Sequence, residues 1–562
     1  MDIIEKEKKK RTILYGLLVT VLVLIGVTYA YYRITKTQTN SNVIGTRTCL
    51  NTTLTEETSE IVLSDAFPIS DEDGLKQSPF TFTLTNNCDS YVKVTIALVS
   101  EYRTSTSTAY LKDNYVKTNL STKGTNDGSS VILSTLSLGE VDTNTQGYVL
   151  KTTGLKNKEA KSFDLRLWLD SETTNEQGLN KTWKGKIVVS VVAAEYVPTF
   201  AETILAKNEV KTPITTPGAA ISTADEALLA SAEDDYGTSY YFRGAVTNNY
   251  VEFANKCWRI VRISGDDSVK LILHNDNPTG VANPCDAANN SASAAFARYS
   301  GTTYESAFNT GFEDNAYVGF KYGTPGSSTY EATHANTNKS TILTNLEAWY
   351  DKNNLKDYEK VIVDTVWCND KTVVTDTTYD PYGWNPNGYG YGRNKTYYGA
   401  TQRLVSARGG TGGTGPSLKC NGELSKITSK VGLITADELA YAGYAYDQNN
   451  TTTYLQEYAT DTYWWSLSPD DFFGGSFAYV WIVDGSDGSF RFSSVENASG
   501  VRPSISLKST TNVTGEGTSS SPYIINMWRC RVFNIGGDYE KEIYLFDRYT
   551  CCYMFGFLCC FL

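Results

Sequence analysis

Hydrophobic and polar positions alternate along four stretches of the first third of the chain: Phe80–Asn86, Tyr91–Leu98, Ser162–Asp170 and Trp183–Ala194. A period of two, enriched in β-branched and aromatic residues, marks strands with one buried face. Polar loops bearing Asn and Gly separate them, and no long helical period intervenes. Residues 45–195 are therefore expected to form an all-β sandwich. Residues 196–235 read differently. They mix Pro, Thr, Ala and Gly around a short helical piece near Ala201–Lys207, and their apolar positions look too sparse for a core, so a linker is expected. From 236 the alternation returns in three strands up to Asp276, with turn chemistry at Asn248–Asn249 and Gly265–Asp267. Two helical periods follow. Ser340 suits an N-cap ahead of Ile342, Leu346, Trp349 and Tyr350 on one face. Thr435 and Glu438 fit a capping box. Short strands close the region, so residues 236–526 are expected to form an α+β domain.

The longest uncharged apolar run lies at the start of the chain. Lys8–Arg11 precede an uncharged stretch, Thr12–Tyr32, long enough for one transmembrane helix. The basic residues place segment 1–11 in the cytoplasm and everything after Arg33 outside. Tyr29, Tyr31 and Tyr32 suit the outer interface. An uncleaved anchor is favoured over a signal peptide with Thr28 and Ala30 at its cleavage site. Both readings export the chain: a single-pass cell-membrane protein, or a secreted one if cleaved. The cysteines fit export. Cys49, Cys88, Cys257, Cys285, Cys368 and Cys420 form no CxxC pair, and disulfides are expected. Nearness along the chain favours Cys49–Cys88, Cys257–Cys285 and Cys368–Cys420, although sequence alone leaves connectivity open. Five of the eleven cysteines fall in the atypical tail, 527–562, to which no function is assigned.

A net charge of -12 argues against nucleic-acid binding. The only histidines, His274 and His334, lie in no HExxH pattern and near no GxSxG elbow. His274 follows the strand-like "SVKLIL" and is expected to be structural. Asp470, Asp471, Asp484 and Asp487 carry the oxygens of a metal site or a glycosidase pair. Beside Gly and Ser in turns, such acids are ordinarily solvated. No metal or other cofactor is expected. The Tyr-, Gly- and Asn-rich segment Tyr379–Gly399 has the composition of a contact loop whose rings supply rigid area.

Two resemblances sharpen this picture. "LTNNCDSYVKVTIAL", "LKNKEAKSFDLRLWLD" and "NKTWKGKIVVSVVAAE", with the anchor ending "GVTYAYY", resemble the exported β-sandwich repeats of Gram-positive surface proteins, the TasA/camelysin-like group. That resemblance implies a stalk, spacer or matrix role and no catalysis. The ordered series "CWRIVRI", "WCND", "PSLKC", "VGLITADELAYAG", "WWSLSP" and "GVRPSISL" resembles exported gut-bacterial domains of C-type-lectin-like fold. The formylglycine-generating enzymes and the variable proteins of diversity-generating retroelements share that fold class. Such folds display a binding face from their late strands. The chain departs from both patterns: it has no copper-binding cysteine pair and no lectin calcium motif, and Cys368 interrupts a lectin-like "WND".

The expected function is therefore non-catalytic display of an adhesin-like recognition domain for a glycan or protein ligand, with the membrane as the other partner. An extracellular glycan hydrolase and a purely structural envelope component are the alternatives. The expected ligand-facing residues are Tyr389, Tyr391, Phe472, Phe473, Tyr479, Trp481, Asp484, Asp487, Phe490 and Arg491. Trp464, Trp465, Arg502 and Pro503 are expected to be framework.

Overall fold

A computed structural model describes residues 51–56, 61–63, 66–126, 128–140, 145–473 and 477–525, with the backbone of Ile34–Thr37, Trp528–Val532 and Lys541–Leu545. Segment 1–11, the expected anchor 12–32, Cys49 and the rest of the tail lie outside the described residues. Among the described residues no helix is long and apolar enough to cross a membrane. Strands dominate and helices are few. The chain divides into two units, Met1–Val197 and Pro198–Leu562.

The first unit is built from two six-stranded sheets. Each of the four alternating segments is a strand: Phe80–Asn86, Val92–Ser100, Ala160–Asp170 and Trp183–Ala193. Val92–Ser100 lies between Trp183–Ala193 and Gln146–Leu155 in one sheet, and Ala160–Asp170 lies between Phe80–Asn86 and Val116–Thr122 in the other. All four of these pairings are antiparallel. Alternation sends Val92, Val94, Ile96 and Leu98 inward to meet Phe82, Leu84 and Phe163 of the facing sheet in one apolar cluster. Each such side chain contributes about 1.5–3 kcal/mol by burial. A polar pin crosses this layer: Asp113 accepts from Trp183 Nε1 at 2.7 Å and from the Tyr148 hydroxyl at 2.8 Å. Cys88 is disulfide-bonded.

The second unit begins earlier than the sequence pattern predicts. Phe200–Lys207 is a helix with a Thr199/Glu202 capping box, and Phe200, Ala201 and Ile204 are buried in the main core. Ala227–Asp234 is a strand paired along its whole length with Gly237–Gly244. The segment expected as a linker is thus built into this unit. Its few apolar residues suffice because they meet a core that distant strands supply.

Two larger sheets organise the rest. In the eight-stranded sheet, Lys256–Ile263 pairs with Val269–Asn275, which in turn pairs with Ser504–Leu507 from "GVRPSISL". The six-stranded sheet is centred on Trp464–Phe473 and Phe477–Val483. Helix Thr341–Lys352, capped by Ser340, buries Ile342, Leu343, Leu346, Trp349 and Tyr350. Helix Ala436–Ala442 starts from the Thr435/Glu438 capping box. Cys257–Cys285 and Cys368–Cys420 are disulfides.

Candidate functional site

Neighbouring residues on a regular strand point to opposite faces. Asp470 and Asp471 escape that rule. Against Phe477–Val483 the register runs from Pro469↔Val480 to Phe472↔Ala478, so the strand Trp464–Phe473 carries an extra residue there. Such a bulge re-aims side chains, and both acids are fully buried. Thr401 Oγ1 lies 2.6 Å from Asp470 Oδ1, and the Tyr382 hydroxyl lies 3.4 Å from the same oxygen. Asp470 Oδ2 and both carboxylate oxygens of Asp471 are buried without a hydrogen-bond partner. Burial pushes Asp470 up to about 6. Burial, then the charge of Asp470, pushes Asp471 well above the usual carboxylate range.

Around this pair stands a layer of aromatic rings. Tyr382 and Trp384, from the Tyr-rich segment, sit 5.0 Å apart. Trp384 meets Phe473 at 4.5 Å, and Tyr382 meets Phe492 at 5.2 Å. Tyr479 closes the set 5.6 Å from Phe492. All five rings are half-buried. Asp380 fixes the segment that carries the first two: its carboxylate accepts from Trp384 N at 2.6 Å, Asn385 N at 2.9 Å and the Tyr397 hydroxyl at 2.9 Å. Lys395 Nζ donates to the Trp384 carbonyl at 2.8 Å and lies 5.5 Å from the Phe473 ring centre. The result is a rigid aromatic patch with its edges in solvent.

No protein-family model and no curated protein matches this chain. Its function therefore has to be argued from the side chains themselves.

The expected ligand residues separate into three groups. Phe473 and Tyr479 belong to the patch. Phe472, Trp481 and Phe490 do not: each is wholly buried, Phe472 toward the main core and Trp481 against Phe490 and Tyr446. Trp481 and Phe490 lie on the strands that carry Tyr479 and Phe492, but there Tyr446 and Tyr444 cover them. Tyr389, 56% exposed, stacks on Tyr391 with ring centres 5.9 Å apart. Asp484 accepts from Ser486 N at 2.8 Å, and Asp487 accepts from Ser489 N at 2.8 Å, so both acids cap their own turns. Arg491 reaches Asp447 at 3.1 Å on the surface. The framework residues Trp464, Trp465, Arg502 and Pro503 are buried, with Trp465 Nε1 donating to the Ser306 carbonyl at 2.8 Å.

Composition marked the segment 379–399 that holds Tyr382, Trp384 and Asp380 but singled out Tyr389 and Tyr391 within it, and Phe492 and Thr401 were missed. The signal for the first two lay in "YDPYGWNPNG", where an acid precedes a turn followed by Trp.

A second feature is a cavity of about 40 Å³, lined among others by Asp234, Arg262, Lys270, Arg403, Asp437 and Glu438. Arg262 pairs with Asp234 and Glu438, each at 2.8 Å; Lys270 pairs with Glu438 at 2.6 Å; and Arg403 pairs with Asp437 at 2.6 Å. Burial alone would raise Glu438, but Lys270 and Arg262 outweigh it and hold it at about 2. At about 10–15 Å³ per water, this space suits a few waters inside an ion-pair framework. Among the described residues, no group of three or more His, Cys, Asp or Glu stands together as a metal site.

Proposed function

We propose that the chain is an exported bacterial surface protein, anchored by its N-terminal apolar segment, whose β-sandwich unit carries a C-type-lectin-like recognition unit for a glycan. The observation that carries this reading is the preformed patch of Tyr382, Trp384, Phe473, Tyr479 and Phe492. Half-buried rings offer flat apolar faces, and the tyrosine hydroxyls and nearby charged groups offer hydrogen bonds, which is what a saccharide's C–H face and hydroxyl edge require. Rigid anchoring by Asp380 lowers the ordering cost of binding.

The engagement of the acids supports a non-catalytic role. Asp470 and Asp471 are wholly buried, and Asp484 and Asp487 are committed to turns. The TasA/camelysin-like reading of the first unit supplies a stalk.

Glycan-array screening of the full-length protein in detergent, followed by calorimetry on the hits, tests this reading. Trp384→Ala and Tyr479→Ala should each weaken binding at least tenfold, about 1.4 kcal/mol, with near-UV circular dichroism unchanged. Failure to bind any glycan, or full affinity in both variants, would sink the proposal.

A further inference from the structure

Four residues in the core of the second unit carry polar atoms that no protein group satisfies. Arg502 Nη2, Trp464 Nε1, Tyr454 Oη and both ring nitrogens of His274 are buried and make no hydrogen bond within the protein. They share one neighbourhood. The Arg502 guanidinium lies 4.9 Å from the Trp464 ring centre. Its Nε donates to the Leu273 carbonyl at 2.9 Å, and its Nη1 donates to the Leu455 carbonyl. Those two carbonyls belong to the chain neighbours of His274 and Tyr454. A second buried guanidinium, Arg259, lies 5.2 Å from the Tyr454 ring centre. Both arginines act electrostatically on His274 and on Tyr454.

The charges here do not balance. Arg259 is paired with Glu457 at 2.7 Å, and its other donors meet Asn249 Oδ1 at 2.7 Å and the Val246 carbonyl at 2.6 Å. Among the described residues Arg502 makes no ion pair with a carboxylate. Burial pulls it down to about 10, which still leaves it cationic at neutral pH. His274 adds no charge, because burial, then Arg259 and Arg502, drive it well below its ordinary value. Two buried guanidinium groups thus share one carboxylate, Glu457, which is 39% exposed and also lies 4.0 Å from His274 Nε2, and a buried charge left without a partner is costly.

The unsatisfied atoms are chiefly donors. A guanidinium N–H, an indole N–H, a phenol O–H and one imidazole N–H have no acceptor, and the set carries one surplus positive charge. Water would satisfy the donors and leave the charge. A small monovalent anion satisfies both. We propose that Arg502, Trp464, Tyr454 and His274 form an internal anion site of halide size, filled by chloride, which completes the core behind the strand "GVRPSISL". This site is separate from the aromatic patch and does not depend on the glycan reading.

The test uses full-length protein in detergent, dialysed free of chloride. Thermal unfolding is followed in sodium chloride and in sodium gluconate at matched ionic strength, and crystals are soaked in bromide. The unfolding midpoint should rise with the logarithm of chloride concentration and stay flat in gluconate. An anomalous bromide peak should lie within hydrogen-bonding distance of Arg502 Nη2. Tyr454→Phe keeps the ring packing and removes one donor, and it should raise the half-saturating chloride concentration about tenfold, about 1.4 kcal/mol. Equal midpoints in the two salts, with no anomalous peak at Arg502, would overturn the proposal and leave water as the bridge.

Discussion

Burial of Asp470 makes this protein's stability fall as pH rises, and Asp470→Asn should remove that contribution. In the folded state both carboxyls titrate above their ordinary value of 3.8, Asp470 at about 6 and Asp471 well above the usual carboxylate range. Stability linked to a raised pKa is complete below about pH 4 and is lost as pH rises through about 6 and beyond. From 3.8 to about 6, at about 1.4 kcal/mol per tenfold change, ionising Asp470 costs the folded state on the order of 3 kcal/mol. The other titratable groups facing the pair are the phenols of Tyr379, Tyr382, Tyr397, Tyr398, Tyr446 and Tyr479, all pushed upward and silent in this range. No cation acts on either acid among their main influences. Asparagine keeps the volume of Asp470, and its amide oxygen can still accept from Thr401 Oγ1. Urea unfolding by tryptophan fluorescence at pH 5 and pH 8 should show wild type weakening by about 1.4 kcal/mol more than the variant. At pH 8 the variant should melt several degrees higher, at roughly 2 °C per kcal/mol. Equal stability of wild type at the two pH values, or the same decline in the variant, would refute the reasoning.

The ion-pair framework predicts the opposite pH trend. Glu438 sits at about 2 in the folded protein against an ordinary 4.5, so its stabilisation holds above about pH 4.5 and is lost as pH falls toward 2. Glu438→Gln strands Lys270, leaves Arg262 with Asp234 alone, and should cost about 3–5 kcal/mol at pH 7, flattening the acid limb in urea titrations. Gly244 has φ +78, and a Cβ there would lie 1.8 Å from the Glu226 main-chain oxygen. Gly244→Ala should cost more than the roughly 1–3 kcal/mol of left-handed backbone strain alone, read as a lowered urea midpoint with an unchanged slope.

The sequence by itself determined the local elements. Period-two alternation located four strands of the first unit to within two residues at each end, because each strand buries one face. Ser340 and the Thr435/Glu438 pair marked two helix starts, because capping is a local hydrogen-bond requirement. The disulfides Cys257–Cys285 and Cys368–Cys420 agree with nearness along the chain, but the fold decided the connectivity that sequence left open. Tertiary structure decided whatever depended on both faces of an element. Residues 200–234 looked too poor in apolar side chains for a core, and became core because distant strands complete it. Phe472, Trp481 and Phe490 are buried because the main core, Tyr446 and Tyr444 cover those positions, while Phe473, Tyr479 and Phe492 of the same strands stay half-exposed. The placement of Asp470 and Asp471 rests on a bulge, whose extra residue is counted only against the partner strand. The surplus charge at Arg502 is likewise invisible in sequence, since it depends on which carboxylates the fold withholds from that guanidinium.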